Sequence, residues 1–140
     1  MLLENAYVTI DDTDFPLIVQ RLTGQDPTPE TFDEYLEALL RLAKRGDKVV
    51  MLVDATRAQF LSAEYRVKLT RHFQKHERLL EESTVCYAFV IRTLIVRFVL
   101  NAIMKVQRLP APHRIFDSRE KARLWAEAQI VGAPTSLLAS

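Results

Sequence analysis

Two histidines of this sequence have a spacing that metal-binding chemistry uses. His72 and His76 are four residues apart, so a helix would project both imidazoles from one face, as zinc ligands do. A third ligand would have to come from His113, and the flanking residues read HFQKH, without the glutamate of an HExxH site. The sequence therefore favours two histidines at the margin of a buried helix face over a metal site, and it predicts no metal and no cofactor.

A second group consists of the carboxylates of Asp11, Asp12 and Asp14, whose oxygens could hold a hard cation. The spacing is not that of an EF-hand, and a solvated turn is the favoured interpretation.

Cys86 is the only cysteine, so an internal disulfide is excluded. Its position in the apolar run VCYAF predicts a buried, unreactive thiol in a reducing compartment.

The third group follows the apolar segment KVVMLVD, which ends at Asp54 and leads to Thr56 and Arg57. Open α/β sheets bind ligands beyond the carboxyl ends of their strands, so these three residues form the best candidate ligand site. The favoured alternative is that Asp54 hydrogen-bonds to the backbone of its own loop. No Ser-His-Asp set, thiolate motif or carboxylate pair has catalytic spacing, and the sequence predicts a protein that is not an enzyme.

Alternating strand and helix patterns supply the elements that would position these residues. The predicted strands are Leu3–Asp11, Phe15–Leu22, Lys48–Asp54, Thr84–Ile91 and His113–Phe116. The predicted helices run from the Thr28 cap to Gly46, from Ser62 to Glu82, from Thr93 to Arg108 and from Ser118 to Gln129. The order ββαβαβαβα predicts one α/β domain, residues 1–131, with a mixed, mostly parallel sheet flanked by helices. Residues 132–140 are predicted to form a flexible tail.

The helix Thr93–Arg108 carries more apolar surface than one buried face needs. Its polar side chains fall on one stripe of the helical wheel, and three large apolar side chains lie within or beside that stripe. The polar set is Arg97, Asn101, Lys105 and Arg108, and the apolar set is Leu94, Leu100 and Met104. The helix could be packed between neighbours, form a homodimer interface or lie against lipid. We favour the interface, which predicts a protein partner and a homodimer.

The charges of the chain are polarised. Residues 1–40 hold nine acids and one base, a net charge of −8, whereas residues 41–140 hold eighteen bases and nine acids, a net charge of +9. One helix face is basic and consists of Lys68, Arg71, Lys75 and Arg78. Such a face is either simply solvated or bound to an anionic lipid, a membrane surface or an acidic protein. Nucleic acid is disfavoured because the face has little aromatic interleaving.

No apolar stretch is long enough to cross a bilayer, because Arg92 and Arg97 interrupt the only long one. The first residues, MLLENAYVTIDD, lack the basic region of a signal peptide. The sequence therefore predicts a cytoplasmic protein.

Two stretches resemble a known family. One is VVMLVDATRAQFLSAEY, in which an aspartate ends a strand and a short loop leads into a helix. The other is RFVLNAIMKVQRLPAPHRIFDSREKARLWA, with a helix, a proline-containing loop, a short strand ending in Phe-Asp-Ser and a helix with alanine and tryptophan. Together with the element order, they resemble the STAS-like fold of anti-sigma-factor antagonists and, more closely, the bacterial SpoIIAA-like proteins.

The resemblance implies a non-enzymatic regulatory or interaction module. In phosphorylated STAS domains, a serine in a pattern such as Asp-Ser-Ser-Gly begins the helix after the third strand. Here Ser62 stands where that aspartate would be and Ala63 where the phosphoacceptor would be, with no glycine after it. Ser62 is thus a shifted phosphorylation candidate, and capping the helix is its favoured role. Some proteins of similar fold hold lipids or other apolar ligands, which implies an alternative function as a lipid or small-ligand binder.

Overall fold

The computed structural model of the protein describes the backbone of residues 1–139 and the side chains of residues 1–130. In that part of the chain, six strands form one sheet in the order β1-β2-β3-β4-β5-β6. The strands are β1 (Leu3–Glu4), β2 (Val8–Asp11), β3 (Leu17–Leu22), β4 (Val49–Asp54), β5 (Thr84–Val90) and β6 (His113–Phe116). The pairs β1–β2 and β2–β3 are antiparallel, and the pairs from β3 to β6 are parallel. The predicted mixed, mostly parallel sheet is confirmed.

The first predicted strand was wrong in its extent, because Leu3–Asp11 is a hairpin of β1 and β2. The side chain of Asn5 causes the turn: its Oδ1 accepts hydrogen bonds of 2.9 Å from the backbone amides of both Tyr7 and Val8. Asparagine favours turns because its side chain can replace a backbone acceptor in this way.

Five helices are present in the described chain. They are α1 (Pro29–Lys44), α2 (Ala63–Lys75), α3 (Glu77–Ser83), α4 (Leu94–Val106) and α5 (Arg119–Ala139). The predicted long helix Ser62–Glu82 is therefore two helices, which meet at His76, a residue with non-helical dihedral angles (φ −114°, ψ 22°). The break accompanies the burial of Leu80 of α3 against Ala43 and Phe73, so tertiary packing outweighs helix propensity there.

The backbone of α5 continues past Gln129, where the sequence predicted its end. The predicted tail, residues 132–140, lies outside the residues whose side chains the structure describes, so the division into a domain and a tail stays a prediction.

Capping contacts fix two helix starts as the sequence predicted. The hydroxyl of Thr28 accepts a hydrogen bond from the Thr31 amide (3.1 Å), and the Thr31 hydroxyl accepts one from the Thr28 amide (2.8 Å). Such a reciprocal pair satisfies two amides that the first turn of a helix leaves free. Thr93 caps α4 in the simpler way, accepting from the Val96 amide at 3.2 Å.

The sheet is the middle of three layers. Alternate residues of a strand point to opposite faces, so Phe89 lies on the face covered by α1, α2 and α4, and Ala88 lies on the face covered by α5. Ala122 and Ala126 of α5 are fully buried on the second face, where small side chains let the helix approach the sheet closely. The first face holds larger side chains, and it is where the candidate sites lie.

Candidate functional site

Asp54 ends β4 and organises its own loop. Its Oδ1 accepts hydrogen bonds from the amide (3.1 Å) and the hydroxyl (2.8 Å) of Thr56. Its Oδ2 lies 3.9 Å from Nη1 of Arg119 at the start of α5. Asp54 is buried, Thr56 is half-buried and Arg57 is exposed, so the three predicted ligand-binding residues differ in their access to solvent. Both carboxylate oxygens of Asp54 are engaged within the chain, which is the structural role that the sequence favoured.

Ser62 occupies the N-cap position of α2, but the prediction that its side chain caps the helix is wrong. Its side chain is exposed and makes no capping hydrogen bond to the helix. The phosphorylation candidate is therefore accessible to solvent, and its modification stays a prediction.

The histidine pair lies together at the end of α2. The ring centroids of His72 and His76 are 5.0 Å apart, whereas His113 lies on β6 with its ring against Phe89. His72 is buried, and its Nε2 has no hydrogen-bond partner. Burial, together with the neighbouring charges of His76 and Lys75, lowers the pKa of His72 to about 4. Among the described residues, no three His, Cys, Asp or Glu side chains converge as metal ligands.

The three early aspartates face three different partners. Asp11 accepts from the amide of Thr13 (2.9 Å), Asp12 lies 3.0 Å from the amino group of Met1, and Asp14 pairs with Arg123 at 2.5 Å.

Cys86 is buried in the sheet, and burial raises the pKa of its thiol to about 11. A thiol with so high a pKa is a poor nucleophile at neutral pH, as the sequence indicated.

The helix α4 has two apolar faces. Val99 and Ile103 are buried toward the sheet. On the other side, four large apolar side chains are exposed, and we call them the α4 stripe. They are Leu94 (82% exposed), Ile95 (62%), Phe98 (66%) and Val106 (67%). No helix of the described chain is long and apolar enough to cross a membrane.

The exposure of the α4 side chains corrects part of the predicted interface. Leu100 is half-buried and packs against the core, so it belongs to the inner face and not to an exposed interface. Met104 is half-buried beside Glu77 and Glu81. Leu94 is exposed as predicted, and the polar set is exposed throughout: Arg97, Asn101, Lys105 and Arg108.

The exposure of Ile95, Phe98 and Val106 was not predicted, because the polar stripe was expected to mark the solvent side of the helix. A helical wheel shows that these residues share one side of α4 with Leu94. That side could have been found by asking which apolar residues remain after Val99 and Ile103 are assigned to the sheet.

A groove between α2 and α4 adjoins the α4 stripe. Val67 (48% exposed) lines it from α2, and Ala102 and Val106 line it from α4. Arg66 and Arg71 also line the groove, and no carboxylate does. The surface beside the α4 stripe is therefore apolar and basic.

The predicted basic face of α2 and α3 is only partly free. Lys68 pairs with Asp33 of α1 at 2.5 Å, so its charge is locally balanced. The other three residues of the face, Arg71, Lys75 and Arg78, are exposed.

Two adjoining cavities lie between the sheet and α4. The larger has a volume of about 140 Å³, and the smaller has a volume of about 90 Å³. They share six lining residues, which are Tyr35, Val53, Leu69, Phe89, Leu100 and Ile103. The rim of the larger cavity includes the exposed residues Gln25, Asp26, Gln59 and Phe60, so it opens between the β3–α1 and β4–α2 loops.

The smaller cavity carries the polar groups of this region. The Tyr35 hydroxyl donates to Oε1 of Gln20 (2.7 Å), and Nε2 of Gln20 donates to the sulfur of Met51 (3.3 Å). His72 also lines this cavity. No lysine, arginine, aspartate or glutamate lines the smaller cavity, and Asp26 is the charged residue lining the larger one.

The arrangement of sheet and helices is similar to that of a protein of known structure. The crystal structure of an uncharacterized protein from the DUF3478 family, with a SpoIIAA-like fold, from Shewanella loihica PV-4, matches this chain with a TM-score of 0.61. The two sequences are 17% identical, and the match covers 89% of this chain and 98% of that chain. No protein-family model and no curated protein sequence matches this chain. The predicted SpoIIAA-like fold is confirmed, as a single mixed α/β architecture.

Proposed function

We propose that the protein is a non-enzymatic binding module that docks through the α4 stripe onto an anionic membrane surface. The SpoIIAA-like fold is consistent with a regulatory module, so a role in binding agrees with the architecture. The observation that carries the proposal is that the four large apolar side chains of the α4 stripe are 62–82% exposed. Contiguous exposed apolar patches usually mark association sites.

The charge around the α4 stripe supports an anionic partner. Residues 83–116, which include all of α4, contain no aspartate or glutamate and five basic residues. Those residues are Arg92, Arg97, Lys105, Arg108 and Arg114. A helix that combines an apolar face with lysine and arginine is the kind that lies in the interface of an anionic bilayer.

Self-association through α4, which the sequence favoured, is opposed by the same charges. In a two-fold antiparallel pairing centred on Asn101, Arg97 of each copy would face Lys105 of the other. Like charges facing each other are unfavourable, and α4 offers no carboxylate to offset them. An anionic bilayer can accommodate both kinds of side chain, because its acyl chains contact the apolar groups while its headgroups pair with the basic ones.

The strength of docking follows from the same two contributions. Full burial of a large apolar side chain contributes about 1.5–3 kcal/mol. Each basic residue near an anionic membrane surface contributes about 1 kcal/mol. Four apolar and several basic side chains are sufficient for reversible docking without a membrane-spanning segment.

Co-flotation with vesicles tests the proposal. We expect the protein to float with phosphatidylcholine vesicles that contain phosphatidylserine, and to float less with phosphatidylcholine alone or at high salt. Phe98→Ser should weaken flotation. The matched control is Leu124→Ser, because Leu124 is also exposed (70%) but lies on α5, on the other side of the sheet.

Two outcomes would contradict membrane docking. One is flotation that does not depend on phosphatidylserine or on Phe98. The other is a wild-type dimer in light scattering that Phe98→Ser converts to a monomer, with no flotation by either protein. The second outcome would assign the α4 stripe to self-association.

A further inference from the structure

Beyond membrane docking, we infer that the two cavities beneath α4 form a binding site for an uncharged apolar molecule that carries a hydroxyl group beside His72. The inference rests on internal residues and does not require the α4 stripe. It is carried by three observations: a shared apolar space, one buried polar atom without a partner, and the charges that line the space.

The first observation is the space itself. Val53 and Phe89 of the sheet line both cavities, and Leu100 and Ile103 of α4 cover both, so the two volumes are parts of one region. Protein interiors are normally packed with few voids larger than a water molecule. The larger cavity, about 140 Å³, is close to the size of an engineered apolar cavity of about 150 Å³ that holds benzene. A small apolar molecule would restore the contacts that such a space lacks.

The second observation is the state of the polar atoms around this space. The Tyr35 hydroxyl has Gln20 as its acceptor, whereas Nε2 of His72 is buried and has no partner in the chain. His72 is only 9% exposed, so solvent does not replace the missing partner freely. A buried polar atom that is left unpaired costs stability, and a ligand that bonds to it recovers that cost. His72 therefore marks the polar end of the site.

The third observation is charge, which defines the class of ligand. The smaller cavity contains no cationic side chain to balance a carboxylate, and His72 itself is neutral near pH 7 because burial lowers its pKa. Asp26 at the rim of the larger cavity further disfavours an anion. A hydroxyl can both donate and accept, so it would pair with Nε2 whichever nitrogen of His72 carries the proton.

The route into the site follows from the rim of the larger cavity. Gln59 and Phe60 are exposed on the β4–α2 loop, and Gln25 is exposed on the β3–α1 loop. A ligand entering between these loops would place its apolar part in the larger cavity. Its hydroxyl would then extend into the smaller cavity, past the residues that line both, and reach His72.

Binding of three probes of similar length tests this inference: 1-octanol, n-heptane and octanoate. We expect 1-octanol to shift the imidazole nitrogen resonances of His72 in NMR spectra and to bind about tenfold more tightly than either other probe, because one neutral hydrogen bond contributes about that factor. His72→Phe should remove the preference for 1-octanol over n-heptane while the cavity still binds both. The matched control His76→Phe changes the neighbouring histidine and should keep the preference.

The inference is overturned if 1-octanol leaves the His72 resonances unchanged, or if 1-octanol and n-heptane bind the wild-type protein equally. It is also overturned if octanoate binds best. Because the three probes are compared on the wild-type protein, the result stands even if His72→Phe fails to fold. Absence of any probe binding likewise overturns the proposal.

Discussion

Nη1 of Arg119 lies 3.9 Å from Oδ2 of Asp54, and this contact connects the first residue of α5 to the last residue of β4. The other carboxylate oxygen of Asp54 holds the loop toward α2 through Thr56. One buried carboxylate thus joins the helix on one face of the sheet to the loop that leads to the other face.

Replacing Asp54 with alanine should lower the free energy of unfolding by about 1–3 kcal/mol, because the amide and hydroxyl of Thr56 lose their acceptor and Arg119 loses its ion-pair partner. Urea denaturation measures the change. Asp117→Ala is the matched control, since Asp117 is exposed and pairs with Lys121 on the surface, where about 0.5 kcal/mol or less is expected. Equal effects of the two substitutions would contradict the structural role of Asp54.

The layered fold could be predicted because its signals are local and periodic. The apolar run of β4 and the capped start of α1 at Thr28 each specify an element and its ends. The break at His76 could not be predicted, because no glycine or proline marks it and it depends on the packing of Leu80 against other helices. The hairpin at Asn5 was missed although asparagine is a turn former.

The site was predicted less completely than the fold. The location of Asp54 at a strand end follows from hydrophobic patterning alone. In contrast, the sequence shows that α4 has two apolar sides but not which side meets the sheet, so Leu100 was assigned outward and Phe98 was missed. The unpaired Nε2 of His72 depends on what surrounds it in three dimensions, and no local pattern reports that.

The two sides of α4 should differ in their contribution to stability. Leu100→Ala should lower the free energy of unfolding by about 1–3 kcal/mol, because Leu100 is partly buried against the core and its truncation enlarges both cavities. Leu94→Ala should change it by about 0.5 kcal/mol or less, because Leu94 is 82% exposed. Thermal denaturation of both variants measures the difference. A larger loss for Leu94→Ala would mean that the outer side of α4 is covered within the folded protein.

The loop at the rim of the larger cavity depends on Gly24. Its φ of +96° is a left-handed conformation, and a Cβ there would lie 2.9 Å from the backbone oxygen of Arg57. Gly24→Ala should therefore cost about 2–3 kcal/mol or more, from the backbone conformation together with the clash. Gly46 also has a positive φ (+84°) but nothing within 4 Å of its Cβ position, so Gly46→Ala should cost about 1 kcal/mol. Chemical denaturation measures the free energy of unfolding of both variants. Equal losses of stability would show that the Arg57 backbone shifts away from the new methyl group of Gly24→Ala without cost.

His72 should make stability depend on pH in the mildly acidic range. In the unfolded chain, His72 takes up a proton near its ordinary pKa of 6.5, whereas burial lowers its pKa to about 4 in the folded protein. Between these values the unfolded state binds more protons, so stability falls as the pH falls from about 6.5 to about 4 and is unaffected by this group above that window. The slope from one histidine is at most about 1.4 kcal/mol per pH unit.

The measurement is the free energy of unfolding of the wild type and of His72→Phe, each at about pH 7 and at about pH 5. Both proteins contain the same carboxylates, so the difference between their losses of stability isolates the contribution of His72. The wild type should lose more stability on acidification than the variant. Lys75 and His76 are retained in His72→Phe, so the substitution removes the titration of His72 and its coupling to these two neighbours. His76→Phe should behave more like the wild type, because His76 is only partly buried whereas His72 is buried. If His72→Phe shows the same loss as the wild type, Nε2 of His72 is hydrated in the folded state and titrates normally.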